Sequence, residues 1–589
     1  MSADNARQEV CFFGAGASPG IARGKIHVVR DELDDVPRYR IAPSQIADEI
    51  GRFEAALIQT RMQILKMQQR IAESIGAKDA AIFDAHLLVV EDRTLIDEVL
   101  RKLETDLWNV EWVFQEVATR YAATLSKIDD PYLRERALDI QDVCKRVIRN
   151  LQGKAPRAFL ALTEPHILVA HNLTPSDTAS MNKKHVLGIA TDLGSRTSHA
   201  AIMARSLNIP AIVGLHDITA KLETGQYVLL DGIDGVLIVN PTAETLAKYA
   251  EIESKRAKVV AQLKELRETT STTRDGRHIV LSANIELPED VEAVFANGAE
   301  GIGLYRTEFL YLNRNTLPTE EEQYETYRQV AERVRPHPLI IRTFDLGGDK
   351  LAAGTVDMTD ELNPFLGWRA IRFCLENIDI FKTQLSAILR ASTVGNVKIM
   401  FPMISGLDEL RRAIEVLAEC KEELRKAEID IADKIEVGAM IEIPSAAISA
   451  NVLAREVDFF SIGTNDLIQY ALAVDRVNEK IAHHYEPTHP AVVRLLKMIA
   501  DAAHANNIWV GVCGEMAGDI ALTPLLLGLG MDELSTSAML VPRVKRAVQS
   551  LAIPECRELV EETLKLDTPS EILARCLELA DKHYGDLLG

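Results

Sequence analysis

The feature that most constrains this 589-residue chain is a strand-then-helix rhythm that repeats eight times in its C-terminal half. Each unit begins with a short apolar run and continues into a pattern typical of a helix. Eight such units in about 310 residues predict a (β/α)8 barrel of the TIM type. The predicted strands are residues 279–286, 301–308, 339–345, 397–403, 437–443, 459–466, 509–513 and 533–540.

Polar side chains gather where these predicted strands end, which is the edge at which barrels of this type carry their functional residues. Any one of them could simply pair with a neighbour or cap a helix. Together they predict guanidinium groups arranged around carboxylates. The residues at or just beyond the strand ends are Arg306, Glu308, Arg342, Asp345, Glu442, Asn465, Asp466 and Cys513.

This combination of residue types indicates a small anionic substrate. Arg306, Arg342 and Arg476 can bind a carboxylate and a phosphate through paired N–H donors, as a phosphorylated enol acid such as phosphoenolpyruvate requires. Mg²⁺ prefers a few carboxylates and completes its octahedron with substrate oxygens and water. Glu442 and Asp466 therefore form the expected Mg²⁺ pair, and the metal would stabilise an enolate as it leaves.

In the N-terminal half, one histidine stands at a helix start. Thr197 or Ser198 can serve as N-cap, and residues 200–207 favour a helix, so His199 falls in its first turn. The free N–H groups of a first turn favour phosphate oxygens. His199 is therefore the candidate carrier of a phosphoryl group.

The remaining patterns predict a multidomain α/β protein. Short strands at residues 167–170, 186–190, 211–214, 227–230 and 236–239 indicate an α/β domain, to which a glycine-rich turn and one short strand in residues 11–30 belong. Apolar residues spaced as in a coiled coil from residue 46 to 71 predict an inserted helical bundle. The expected division is residues 1–40 and 153–240 for the α/β domain, 41–152 for the bundle, 241–270 for a linker helix and 271–589 for the barrel.

Composition excludes several partners. The net charge of −21 argues against nucleic acid and anionic membrane surfaces, which need clustered Lys and Arg. Seven scattered cysteines without a Cys-x-x-Cys pair indicate neither a disulfide framework nor a zinc site. With no signal peptide and no apolar run near the ~20 residues of a spanning helix, a cytoplasmic protein is expected.

The motifs resemble those of a known family. Residues 173–178 and 191–214 are similar to the phosphohistidine domain shared by enzyme I of the phosphoenolpyruvate:sugar phosphotransferase system and by pyruvate phosphate dikinase, except that Ser195 replaces a frequent glycine. The barrel resembles the phosphoenolpyruvate-binding barrel of enzyme I. The segments that carry this second resemblance are residues 301–309, 342–350, 363–372, 441–444, 461–470 and 511–516.

The resemblance implies that the phosphoryl group of phosphoenolpyruvate passes to His199 and then to a histidine of the carrier protein HPr, with release of pyruvate, as the first step of sugar uptake. It implies that the His domain swivels on the linker helix, that the bundle docks HPr and that the barrel forms a homodimer. His86 and Asp92 in the bundle could contribute to the docking face, but a solvated surface position is the commoner explanation for either residue alone. The implied roles are substrate binding by Arg306, Arg342 and Arg476, Mg²⁺ binding by Glu442 and Asp466, phosphate contact by Asn465, proton donation by Cys513 and imidazole contact by Thr178, with Lys350 and Arg369 as further site candidates.

Three other classes remain open. A dikinase or phosphoenolpyruvate synthase shares both domains but needs a large nucleotide-binding domain, for which no residues remain. A Mg²⁺-dependent aldolase or lyase would leave His199 without a role. A phosphorylation-state sensor would have lost its metal ligands or its histidine. The nitrogen-branch relative carries an added N-terminal sensory domain, so the sugar branch is favoured by the resemblance.

Overall fold

The computed structural model contains two compact units, Met1–Ser254 and Lys255–Gly589. Each is described by itself below. The structure describes residues 9–29, 36–74, 82–125, 131–153, 164–173, 177, 181, 185–195, 198–207, 209–311, 316–347, 363–476, 478 and 480–588.

An eight-stranded sheet organises the α/β part of the first unit. Its strand order is β1-β8-β7-β3-β4-β5-β6-β2, with β3, β4, β5 and β6 parallel and the outer strands antiparallel. The strands are β1 (Val10–Phe13), β2 (Ala15–Ser18), β3 (Ile21–Val29), β4 (His166–Ala170), β5 (Val186–Thr191), β6 (Ala211–Val213), β7 (Tyr227–Asp231) and β8 (Val236–Val239).

The prediction of one short strand in residues 11–30 was wrong, because this segment contributes three strands. Each of them pairs with a strand far away in sequence: β1 with β8, β2 with β6, and β3 with both β4 and β7. Such distant pairing leaves only a weak local signal, since short strands need long-range ladders for stability. The five strands predicted between residues 167 and 239 are confirmed.

A helical block lies between β3 and β4 in the chain. Phe53 and Ile64, from the apolar stripe that predicted it, are buried in its core, and Ile46, Ile50 and Leu57 pack against that core. The helices are α1 (Ile46–Ser74), α2 (Ile82–Val90), α3 (Arg93–Asp106), α4 (Val110–Leu125) and α5 (Pro131–Leu151).

Among the described residues that follow, the helices are α6 (His199–Ser206), α7 (Ile218–Lys221) and α8 (Ala243–Glu265). A helix lies within residues 241–270, as expected: α8 is followed there by a 3-10 turn at Leu266–Glu268. The division between the two units falls inside α8, after Ser254.

The second unit is the predicted barrel. Eight parallel strands close in chain order, with β16 pairing back to β9. The strands are β9 (Val280–Ile285), β10 (Ile302–Tyr305), β11 (Leu339–Arg342), β12 (Val397–Phe401), β13 (Val437–Ile441), β14 (Phe459–Ile462), β15 (Trp509–Val512) and β16 (Glu533–Ser537).

Helices surround the strands and bury an extended apolar core against them. They are α9 (Val291–Ala296), α10 (Glu320–Val334), α11 (Ala370–Glu376), α12 (Ile378–Ala391), α13 (Leu407–Lys426), α14 (Pro444–Ile448), α15 (Ala450–Leu453), α16 (Thr464–Leu472), α17 (Pro490–Ala505), α18 (Thr523–Leu529), α19 (Val541–Ser550), α20 (Ile553–Thr563) and α21 (Pro569–Tyr584).

Lys545 of α19 fixes the chain that enters the barrel. Its buried ammonium donates hydrogen bonds to the carbonyl oxygens of Arg267 (3.1 Å), Thr269 (2.9 Å) and Gly298 (2.8 Å). A buried charge is tolerated only when it is well bonded, so this lysine stabilises the turn after α8. Within the described residues, no helix is both long and apolar enough to cross a membrane.

Candidate active-site residues

Arg342, the last residue of β11, lies between two carboxylates. Its Nη2 is 2.8 Å from Oε1 of Glu308, and its Nη1 is 2.9 Å from Oδ2 of Asp345. Burial lowers the pKa of the Arg342 guanidinium, but Glu308 and Asp345 outweigh burial and raise that pKa. The predicted clustering of these three residues at the strand ends is therefore confirmed, but Arg342 is charge-balanced within the protein.

Arg369 extends the cluster toward Asp466. Its Nη2 is 2.7 Å from Oδ1 of Asp345 and 3.9 Å from Oδ2 of Asp466. Burial alone would raise the pKa of Asp345, but Arg342 and Arg369 outweigh it and lower that pKa. Arg369 thus lies in the site as expected, and it links the arginine–carboxylate cluster to the proposed metal ligand.

Glu442 is a buried carboxylate just beyond β13. Its Oε1 accepts a hydrogen bond from the Met403 backbone N–H at 2.6 Å. Burial, followed by the nearby negative charges of Asp466 and Asp345, raises the pKa of Glu442 to about 8, although Arg342 opposes the shift. A buried carboxylate whose charge is destabilised by neighbouring acids suits a divalent cation, which would neutralise that charge.

Asn465 and Arg476 converge on Glu515. Asn465 Nδ2 donates to Oε1 of Glu515 at 3.1 Å, and its Oδ1 accepts the Glu515 backbone N–H at 2.8 Å. Arg476 Nη1 donates to the same Oε1 at 3.4 Å. Glu515 was missed as a functional residue, although it lies in the motif of residues 511–516 and shortly after a strand end.

Cys513 follows β15 directly and is buried. Its Sγ is 3.6 Å from the carbonyl oxygen of Ile462, and its own carbonyl accepts a hydrogen bond from Asn284 Nδ2 at 2.9 Å. Burial raises the pKa of the Cys513 thiol to about 11. The thiol therefore keeps its proton at neutral pH, and Glu442, Arg342 and Arg306 are close enough to influence it.

Arg306 lies on the rim as predicted, but its partner was missed. Its Nη1 is 2.9 Å from Oε1 of Glu286, the residue after β9, and the Arg306 guanidinium is partly exposed. Arg306 also helps to lower the pKa of Asp345. Position alone could have identified Glu286, because it ends a predicted strand like the other rim residues.

Two glycines let the rim loops approach closely. A Cβ added to Gly463 would lie 2.6 Å from Oε2 of Glu442, and one added to Gly514 would lie 2.0 Å from Oγ1 of Thr464. Real Cβ atoms do not tolerate such distances. Glycine at these positions therefore allows the loops after β13, β14 and β15 to pack together around Asn465.

A cavity of about 660 Å³ opens at the same end of the barrel. Phe365, Leu366, Met403 and Tyr470 belong to its lining. Tyr470 Oη closes one side by donating to the Phe365 carbonyl oxygen at 2.6 Å. Because Met403 also donates to Glu442, the cavity shares a wall with the buried carboxylate.

His199 begins helix α6, as the sequence predicted. Ser198 occupies the N-cap position with extended backbone, but its hydroxyl makes no capping hydrogen bond. The expectation that Thr197 or Ser198 occupies the N-cap is therefore confirmed for Ser198. Thr178 and Lys350 fall outside the described residues, so their contacts with the sites are not described.

The two candidates for a docking face in the helical block have other roles. His86 is fully buried, and its Nε2 is 3.2 Å from Oδ1 of Asp139. Asp92 caps α3, where its Oδ1 accepts the Thr94 and Leu95 backbone N–H groups at 2.8 and 3.2 Å. A buried imidazole cannot contact a partner, so the expectation for His86 is wrong, and Asp92 serves the helix start.

Three families match successive parts of the chain. They are described as PEP-utilising enzyme, N-terminal (residues 13–136), PEP-utilising enzyme, mobile domain (162–235), and PEP-utilising enzyme, PEP-binding domain (260–553). The mobile-domain match includes His199, and the PEP-binding match includes every candidate residue of the barrel rim.

Relatives match nearly end to end. Phosphoenolpyruvate-protein phosphotransferases of Bacillus sp. (strain S), Bacillus subtilis (strain 168) and Haemophilus influenzae are 47%, 45% and 44% identical, covering 97%, 95% and 95% of this chain and 98%, 98% and 97% of those proteins. A solved structure titled as enzyme I (nEIt) is 39% identical over 42% of this chain and 99% of its own, with a TM-score of 0.37. By sequence, domain order and a closed barrel with these residues on its rim, the chain belongs to the phosphoenolpyruvate-protein phosphotransferase family of PEP-utilising enzymes.

Proposed function

We propose that this chain transfers the phosphoryl group of phosphoenolpyruvate to His199 and from there to a histidine of HPr, releasing pyruvate. The observation that carries the proposal is the cluster of Arg342, Arg369, Asp345, Asp466 and Glu442 at the rim of the barrel, of which Arg342, Asp345 and Glu442 are buried. The chemistry that this cluster supports is the activity named in the relatives.

In this proposal, arginines bind the anionic substrate. Arg306 and Arg476 are partly exposed and each reaches one acidic side chain, so their remaining N–H groups suit the carboxylate and phosphate of phosphoenolpyruvate. Arg342 is held rigidly by Glu308 and Asp345. Such preorganisation favours catalysis, because the donors need little rearrangement as charge develops. Asn465 adds a neutral donor for a phosphate oxygen.

Glu442 and Asp466 would hold Mg²⁺. The described residues contain no group of three or more metal-binding side chains, but Mg²⁺ needs only one or two carboxylates when substrate oxygens complete its shell. The fit is supported by the raised pKa of Glu442, which reflects its burial and the nearby negative charges of Asp466 and Asp345, offset only in part by Arg342. When bound, the metal supplies Lewis-acid stabilisation of the developing enolate.

Cys513 would protonate the enolate. Phosphoryl transfer breaks the P–O bond of phosphoenolpyruvate, forms an N–P bond on His199 and leaves the enolate of pyruvate. The thiol of Cys513 is protonated at neutral pH because burial raises its pKa to about 11. It can therefore deliver a proton to the methylene carbon, which completes pyruvate.

The α/β domain, residues 1–40 and 153–240, would carry the phosphoryl group, and Thr178 would position the His199 imidazole within it. In the barrel, Lys350 would contribute to the rim. The linker of residues 241–270 would allow that domain to alternate between the barrel, residues 271–589, and the carrier. His199 in the first turn of α6 fits this role, because the free N–H groups there stabilise phosphate oxygens. We also propose that the protein is located in the cytoplasm.

The helical bundle, residues 41–152, would dock HPr. Ile58 and Met62 on α1 and Leu88 on α2 are large apolar side chains that are each more than 60% exposed, and α1 packs against α2. Exposed apolar side chains close together are typical of a protein interface. These three residues, rather than His86 and Asp92, are therefore the proposed centre of the docking face.

We also propose a homodimer through the barrel. Phe365 and Leu366 expose 42% and 64% of their surface beside the 660 Å³ cavity. A second copy that covers this apolar loop would remove it from water. Light scattering with Mg²⁺ and substrate present should show a dimer, and a Leu366→Asp variant should shift it toward monomer. A wild-type protein that stays monomeric would contradict this part of the proposal.

The test of the main proposal is phosphorylation without nucleotide. Purified protein is incubated with labelled phosphoenolpyruvate and Mg²⁺, and acid-labile phosphate on His199 and its transfer to HPr are followed. Wild type should be labelled and should transfer, whereas a His199→Ala variant should do neither. His185→Ala, a half-buried histidine of the same domain, is the matched control. Labelling of the His199→Ala variant would disprove the assigned nucleophile, and a requirement for ATP would favour a dikinase.

A further inference from the structure

A buried carboxylate in the α/β domain lies next to the loop that leads to His199. Asp192 follows β5 directly and is only 2% exposed. Its Oδ2 is 3.0 Å from Nδ1 of His171, and the Thr219 hydroxyl donates to the same oxygen. Its Oδ1 accepts the Thr219 backbone N–H at 3.1 Å. We call Asp192, His171 and Thr219 the Asp192 node.

The backbone around the Asp192 node joins three segments. The Asp192 N–H donates to the Ala170 carbonyl at 3.1 Å, and the Leu193 N–H donates to the His171 carbonyl at 3.0 Å. The Asp192 carbonyl accepts the His216 N–H at 2.9 Å. The end of β4, the start of the His199 loop and the segment after β6 therefore all meet at one residue.

The hydrogen-bond pattern gives each member of the node a defined role. The carboxylate can only accept, so His171 donates from Nδ1 and Thr219 donates twice. A buried carboxylate without such donors would be strongly unfavourable, because its charge would be left unsatisfied. The bonds to two other segments therefore hold Asp192 in place, and with it the first residue of the loop that ends at His199.

We propose that the Asp192 node positions the loop of His199 for phosphoryl transfer. The inference rests on the proposed function of His199. Asp192, His171 and Thr219 are positioning residues, because they act through the loop and not on the phosphate itself. The side chain of His171 is 53% exposed, so it can be replaced with little loss of core packing.

A positioning role and a structural role predict different kinetics. Phosphoenolpyruvate is bound by residues of the barrel in the proposed function, so displacement of the His199 loop should lower kcat and leave KM unchanged. A structural role would instead lower the unfolding temperature and leave the kinetics of the folded fraction unchanged. Misplacement of a reacting group by about 1 Å can cost roughly 100-fold in rate.

The experiment uses two variants of His171 and two variants of Thr219, the two residues whose side chains donate to Asp192. His171→Leu removes the donor, whereas His171→Asn keeps an N–H donor near the position of Nδ1. Thr219→Val removes the hydroxyl, whereas Thr219→Ser keeps it. We expect His171→Leu and Thr219→Val to lower the rate of His199 phosphorylation at saturating phosphoenolpyruvate by about 10- to 100-fold. The Asn and Ser variants should restore most of that rate, and KM should stay within about twofold.

Asp217→Asn is the matched control, because Asp217 is an exposed acid in the same segment that pairs only with Lys221 among its described ion pairs. It should phosphorylate as wild type does. Equal rates in His171→Leu, His171→Asn and wild type would overturn the inference, as would a rate loss explained fully by a lower unfolding temperature or a higher KM. Failure of wild type to become labelled on His199 would instead overturn the proposed function, so the two failures are distinguishable.

Discussion

At the scale of single residues, charge balance dominates the barrel rim. Arg342 is the only described cation that lies within 3 Å of two rim carboxylates, Glu308 and Asp345; Arg342 and Asp345 are buried, and Glu308 is largely shielded from solvent. A buried pair contributes little to stability by itself, but removing one partner leaves an uncompensated charge. Arg342 is therefore both a substrate-binding candidate and a structural requirement of the site.

Arg342→Lys should show both roles. Lysine presents a compact charge and cannot bridge Glu308 and Asp345 as the guanidinium does. We expect kcat/KM for phosphoenolpyruvate to fall by at least about 100-fold, since bidentate recognition is lost, and the barrel to lose roughly 1–3 kcal/mol of stability. Steady-state kinetics and calorimetric unfolding measure the two effects.

Arg328→Lys is the control, because Arg328 pairs with Glu325 and Glu332 on the surface of α10. Its stability should change by less than about 0.5 kcal/mol, as is usual for exposed pairs. An Arg342→Lys variant with the activity of wild type would refute the substrate-binding role.

Glu442 makes the metal-free barrel sensitive to pH. Its pKa in the folded state, about 8, lies above the ordinary value near 4.3, so the folded state holds the proton more tightly than the unfolded state. The resulting stability is present below pH ~4.3 and is lost as pH rises toward 8. In the presence of a metal chelator, the free energy of unfolding of the wild-type protein should therefore fall more between pH 5 and 8 than that of the Glu442→Gln variant.

Calorimetric unfolding of both proteins across that range is the measurement. Mg²⁺ should raise the unfolding temperature of wild type at pH 8 and leave Glu442→Gln nearly unchanged, since metal binding requires the deprotonated ligand. Parallel pH profiles for the two proteins would contradict the assigned environment of Glu442.

Sequence position was enough to identify most rim residues, because barrel chemistry gathers where strands end. It could not identify Glu286 and Glu515 as the partners of Arg306 and Arg476, since such pairs form between different strand–helix units and have no fixed spacing. The same limit explains the wrong expectation for His86. Its burial against Asp139 depends on how α2 packs on α5, which a helical pattern does not specify.

At the scale of elements, close approach of strands fixes the barrel interior. Phe459 stacks on Trp509 with ring centroids 4.4 Å apart, and a Cβ on Gly438 of the neighbouring strand would lie 2.3 Å from the Phe459 ring. The eight strands were predicted correctly, but their C-terminal ends were placed one to four residues too late. The polar rim residues follow each apolar strand directly, and no turn signal marks where the strand ends.

Gly438→Ala should destabilise the barrel. The added methyl group must displace an aromatic ring that is already stacked, and such overpacking costs about 1–3 kcal/mol. Gly406→Ala is the matched control, since nothing lies within 4 Å of its Cβ position. Calorimetry should show a lower barrel transition only for Gly438→Ala, and equal transitions would refute the packing argument.

At the scale of the whole molecule, the chain consists of two compact units with separate cores. The barrel repeat and the helical stripe occupy different parts of the chain, and the boundary between the two units falls within residues 241–270, the segment expected to be a linker helix. The pairing of β1, β2 and β3 with distant strands was not predictable from local signals, since it depends on the fold of the complete first unit.

The two units should fold when expressed separately as residues 1–254 and 255–589. Each contains its own buried core, so circular dichroism should show cooperative unfolding of both fragments. Isothermal titration should show phosphoenolpyruvate binding, with Mg²⁺, by the second fragment alone. Aggregation of either fragment, or loss of binding by the second, would show that the units depend on each other for stability.

The interlocked loops at Gly514 and Thr464 also bear on how such a site can change. Since a Cβ at residue 514 would occupy the place of the Thr464 hydroxyl, the loop that presents Asn465 and the loop that follows Cys513 cannot be redesigned one at a time. A protein engineer who seeks a new acid substrate must therefore vary both loops in one library. A single-position scan of either loop should return mostly inactive proteins.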